Sequence, residues 1–98
     1  MKDNLKSVGM WGQLHYQYLK ETRLSLIGVM RMNGELIPYL QDINQQADEM
    51  LSQLVKQLAK QEGVNEEIKA RDQMAWIGAM ENIQNRAREV VLNEIIYQ

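Results

Sequence analysis

Between Leu40 and Leu58 apolar side chains return every three or four residues, at Leu40, Ile43, Ala47, Met50, Leu51, Leu54, Val55 and Leu58. At about 100° per residue these positions share one face of a helix. Gln45, Gln46, Glu49, Gln53, Lys56 and Lys60 face away from it. A helix patterned like this must pack on one side and meet water on the other. Its ends are marked. Asn33-Gly34 is a pair suited to closing a preceding helix in the left-handed conformation, and Pro38 sits where a first-turn proline sacrifices no needed N–H. Gly63 breaks the pattern, with Lys60 near the negative end of the helix dipole. The spacing predicts a helix over 36–62.

The flanking segments must supply its partners. Upstream, Trp11, Leu14, Tyr18, Leu19, Thr22, Leu26, Val29 and Met30 line one face of a predicted helix over 10–32. Downstream, Asn65 is a good N-cap and Glu66 and Glu67 suit the positive end of a helix dipole. The helix they open, over 65–96, carries Ile68, Ala75, Trp76, Ala79, Met80, Ile83, Ala87, Val90 and Val91 in one broad arc. Short connections between long amphipathic helices imply antiparallel neighbours. The expected fold is all-α, an antiparallel up-down-up three-helix bundle of rods roughly 35 to 45 Å long, with a dimer as a further expectation. Residues 1–9 are expected to form a flexible N-terminal arm and 10–98 a single domain.

The bulk properties narrow the function. Ninety-eight residues suffice for one core but not for a core plus an enclosed catalytic cleft. Without cysteine there is neither a disulfide framework nor a thiolate metal site. The formal charge is -2, with 11 basic and 13 acidic residues interleaved along the chain, which argues against a general electrostatic grip on nucleic acid or anionic membrane. No stretch approaches the roughly 20 apolar residues of a membrane span, and the start has no apolar run of signal-peptide length. A cytoplasmic setting is expected.

The words WGQLHYQYLKETR (11–23), LVKQLAKQEGVNEEIKA (54–70), QMAWIGAMENIQNRAREVV (73–91) and LNEIIYQ (92–98) resemble the small transposon-encoded family called TnpV. Matched words in order are far more specific than any single short motif. Relative to the family pattern, Leu24 to Asn33 matches loosely, and the chain is expected to be short of a leader before the tryptophan-glycine-glutamine word. The resemblance implies carriage on a mobile element of a Gram-positive host. It supplies a setting, and it leaves the mechanism to the residues.

His15 is the sole histidine, on the apolar side of the first helix, with no His, Cys or carboxylate cluster at ligand spacing, so a structural role is expected and a metal is not. Trp11 and Trp76 fall inside the core arcs and read as stability residues. On the last helix Asn82, Asn85, Arg86 and Arg88 form the best strip for nucleic-acid or polar contact, because amides and guanidinium groups on a rigid rod can reach phosphates and base edges. Glu81, Glu89 and Glu94 cancel most of its field, so a solvated or protein-facing strip is preferred. Met74, Ile77, Leu92, Ile95 and Ile96 project away from the core arc of the same helix, with Met74, Ile77, Leu92 and Ile95 the expected partner contacts, and Leu24 and Ile27 do so on the first. Uncovered apolar area marks a partner surface, and seven methionines suit an adaptable one. Asp72, Arg86 and Glu94 lie close to the core arc and need ion-pair partners on another helix.

These readings converge on a non-enzymatic accessory protein of a transposon or other mobile element, acting by protein–protein contact or self-association. No cofactor, metal or small-molecule substrate is expected, and no membrane. Two alternatives stand beside it: a nucleic-acid-binding regulatory protein using the last helix, and an anti-CRISPR-type inhibitor that binds a host effector complex. An enzyme is not expected, since no nucleophile–base pair, phosphate loop or metal cluster is visible.

Overall fold

The computed structural model describes residues 5–98. A short 3-10 turn, Leu5–Ser7, leads into five α-helices: α1 Gly9–Thr22, α2 Leu24–Met32, α3 Leu36–Gln61, α4 Glu66–Arg71 and α5 Gln73–Val91, with a closing π-helical turn, Leu92–Ile96. No strand occurs among the described residues. The class is all-α. Two of the expected rods are broken, however, and the packing is staggered.

The first break is at Arg23, whose backbone leaves the helical region at φ -143° and ψ 55°. No glycine or proline marks it. Packing decides it: the bend turns Ile27 and Met30 onto Leu19, Leu36 and Leu40. The second is at Asp72, whose side chain accepts from the Ala75 N–H at 3.1 Å and starts α5 as an N-cap. Asn65 caps α4 in the same way, accepting from the Ile68 N–H at 3.1 Å. Gly34 and Gly63 take φ +71° and +70°, and the bonds Glu35 N–H to Met30 O and Val64 N–H to Ala59 O close α2 and α3.

The 26 residues of α3 form a spine about 39 Å long. α1 runs antiparallel to its first half, with Trp11 against Asn44 and His15 against Tyr39. α5 runs antiparallel to its second half, with Arg86 against Glu62 and Val91 beside Ala47. No Cα of α1 comes within 8 Å of one in α5. The two helices therefore succeed each other along the spine instead of lying side by side, and the molecule extends to 55 × 21 × 17 Å.

Two clusters hold this together. Val8, Leu19, Ile27, Met30, Leu36 and Leu40 fill the first; Trp11, Ala47, Val91 and Ile96 fill the second, where the end of α5 meets the start of α1. A fully buried side chain such as Leu40 or Ile83 contributes about 1.5–3 kcal/mol by leaving water. The expected flexible arm falls partly outside the described residues. From Leu5 onward it is docked: Val8 is buried and the Leu5 carbonyl accepts from Gln13 Nε2 at 3.0 Å.

The joint between α1 and α3 depends on Asn44. α1 has no side-chain cap of its own, and Asn44 Oδ1 accepts from the N–H groups of Trp11 and Gly12 at 3.0 and 3.3 Å, capping one helix from another. The approach is close enough to demand glycine. A Cβ on Gly12 would stand 2.8 Å from the Leu40 carbonyl oxygen, and one on Gly9, at φ +79°, 2.5 Å from the Asn44 amide.

Candidate interaction surface

The strip expected on the last helix is divided by the structure. Arg86 Nη2 holds both carboxylate oxygens of Glu62, at 2.7 and 2.8 Å, which ties α5 to the end of α3 and supplies the interhelical partner its position demanded. Arg88 points to the other bank of α5, where Nη1 donates to Asn85 Oδ1 at 3.5 Å. Asn82 and Asn85 are exposed. The four residues therefore present no concentrated positive field, because one of the two guanidinium groups is neutralised within the chain.

The expected partner surface is also divided. Met74 is 78% exposed and Ile77 lies at the edge of exposure, both near the start of α5. Leu92 and Ile95 pack instead against the cluster of Trp11, Ala47 and Val91, and Ile96, also expected to be uncovered, is fully buried within that cluster. For Ile95 the π-helical turn accounts for this, since its wider turn rotates the side chains beyond Leu92 off the register of a continuous α-helix. Trp76 is only half-buried, with the Lys69 ammonium 4.6 Å from its ring centre.

A larger apolar face lies on α2, where periodicity misplaced three residues. Ile27, expected to be uncovered, is 1% exposed, while Leu26 and Val29, expected in the core, are 37% and 55% exposed. The bend at Arg23 resets the register between α1 and α2, so one helical wheel drawn through both assigns the wrong side. Leu24, Leu26, Val29 and Met32 face outward, with Met32 88% exposed. The available signal was composition: residues 24–32 hold a single charge, Arg31.

His15 is 2% exposed and has both ring nitrogens engaged. A carbonyl oxygen only accepts, so Nδ1 carries the proton and donates to the Ile96 carbonyl at 2.8 Å; Nε2 then accepts from the Tyr39 hydroxyl at 2.8 Å. Tyr18 stacks on the ring and Tyr97 packs against Tyr18. Burial pushes the Tyr39 hydroxyl above the usual tyrosine range, with the Arg23 charge acting in the opposite direction. This is a latch between α1, α3 and the C-terminal turn. Among the described residues no three His, Asp or Glu side chains gather as a metal would require.

Two open hollows line the second half of α3. One, of about 310 Å³, lies between α3 and α5 with Leu51 and Val55 as its floor and Asp48, Lys56 and Arg88 on its banks. The other, of about 410 Å³, lies by the α3–α4 loop and is lined by Lys56, Ala59, Lys60 and Val64 among others. Both are open to solvent and not enclosed.

The family model described as transposon-encoded protein TnpV matches residues 1–96. Comparison with curated proteins and with solved structures finds no match to this chain. No helix is long and apolar enough to cross a membrane, among the described residues.

Proposed function

Since the chain belongs to the TnpV family of transposon-encoded proteins, we propose that it is a non-enzymatic accessory protein of a mobile element and that it works by protein–protein contact. The observation that carries this reading is the outward apolar face of α2, in which Leu24, Leu26, Val29 and Met32 meet water on a helix with a single charged side chain. Exposing that much contiguous apolar surface is costly for a lone protein unless something covers it in use. Met74 and Ile77 at the start of α5 offer a second, smaller contact. The Arg86–Glu62 pair weighs against the nucleic-acid reading, because it removes one of the two cations on which that reading depends.

The test is capture from the native host with a tagged chain, half of the extract being treated with nuclease. Protein partners should survive the nuclease and be lost with Leu24→Glu combined with Met32→Glu, exposed changes that leave circular dichroism unaltered. Loss on nuclease treatment, with the α2 variant still competent, would transfer the function to nucleic acid.

A further inference from the structure

The second half of α3 is under-covered for its sequence. Leu51, Leu54, Val55 and Leu58 continue the same apolar stripe as Leu36, Leu40 and Ala47, yet these four are half-buried where the first three are buried. The reason is the stagger. The first half of the spine is flanked by α1, α2 and the C-terminal turn, while only α5 lies along the second half. A helix with an apolar face this wide is normally packed by two neighbours.

The charges beside the opening are ordered. Asp48 stands at one end of the groove, Lys56 towards the other, and Lys60 follows in the adjoining hollow. Acid first and base last also suits the helix's own dipole, so the order alone assigns nothing. Together with the half-covered floor, however, it fits one occupant well. An antiparallel copy of α3, crossing near Leu54, sets Asp48 opposite Lys60 and Ser52 opposite Lys56, each pair occurring twice by symmetry. The overlap from Ala47 to Gln61 is about 22 Å long and, with α5 alongside, two rods of about 10 Å wide, so it covers roughly 450 Å² a side, or about 900 Å² in all. That is the scale of a weak, micromolar contact and not of an obligate dimer.

We propose that the groove between α3 and α5 is closed by a second copy of this chain, whose α3 packs antiparallel on the first to make a four-helix bundle of two α3–α5 pairs. The proposal rests on the protein-contact reading and names one partner for it, leaving the α2 face to another. Ser52 and Ala59 at the opening are small enough to admit a helix closely.

The experiment is light scattering and sedimentation of the full chain across a concentration series. Wild type should reach twice 11.5 kDa with a dissociation constant in the micromolar range. Asp48→Lys places like charges opposite each other twice and should weaken the dimer by at least about tenfold, while Asp48→Lys combined with Lys60→Asp restores the attraction and the dimer. Ser52→Tyr, an exposed position where bulk closes the groove, gives a second break independent of charge. Circular dichroism should match wild type for all three. A monomer at about 100 µM, a dimer indifferent to these changes, or a dimer broken by Met32→Glu on α2 would each overturn the proposal. Capture through α2 would still proceed in those cases, so failure here is distinct from failure of the protein-contact reading.

Discussion

His15 Nδ1 lies 2.8 Å from the carbonyl oxygen of Ile96, across 81 residues of sequence. The bond fastens the C-terminal turn to α1, and the Tyr39 hydroxyl on the far side of the ring fastens both to α3. The ring is the one buried polar side chain among the described residues. Its polarity is tolerated because both nitrogens are satisfied.

Removing the ring strands two partners. His15→Ala should cost about 3 kcal/mol, from the cavity and the orphaned Ile96 carbonyl together. Tyr39→Phe removes one hydrogen bond and should cost about 1 kcal/mol. Urea denaturation checks both, and amide exchange near Ile96 should rise in the alanine variant. Equal losses for the two substitutions would show that the carbonyl bond contributes little.

Tyr39 makes stability depend on alkaline pH. Its hydroxyl ionises above the usual tyrosine range in the folded chain because burial disfavours the phenolate. The unfolded chain ionises near pH 10. Between the two the folded state holds the extra proton, so stability that is fully present below about pH 10 is lost as pH rises through the folded value. Melting temperature should fall more steeply for wild type than for Tyr39→Phe above about pH 10. Parallel curves would remove Tyr39 as the cause.

Gly12 should tolerate no side chain. Gly12→Ala drives a Cβ against the Leu40 carbonyl, which is backbone and cannot swing aside, and should cost about 2–3 kcal/mol. Asn44→Ala removes the cap on Trp11 and Gly12 for about 1 kcal/mol. It also clears the obstruction at Gly9. Gly9→Ala should therefore be less harmful in the Asn44→Ala background, leaving the positive φ as its remaining cost, and a double-mutant cycle measures the difference.

The two tryptophans should separate in a stability assay. Trp11 is buried in the cluster that joins α1 to the end of α5, and Trp11→Ala should cost about 3–5 kcal/mol. Trp76 is half-buried and held in part by Lys69, so Trp76→Ala should cost less than half as much. Thermal unfolding of the two variants decides it.

The all-α class, the cap at Asn65 and the left-handed glycines at Gly34 and Gly63 are written in the sequence, because each depends on atoms within about one helical turn of the residue concerned. Family membership was legible for a similar reason: it rests on the order of residues and needs no contact. Asp72 was half legible, an acid near the core arc that turned out to be a cap. The bend at Arg23 was not, since nothing local forces it, and the apolar side of α2 was misplaced with it. Nor could periodicity show that α1 and α5 succeed each other along α3, that Leu92 and Ile95 turn inward, or that Glu62 takes Arg86. A helical wheel records which residues share a face. Which neighbour covers that face, and over what length, is decided by packing between segments tens of residues apart, and the uncovered half of α3 exists only at that level.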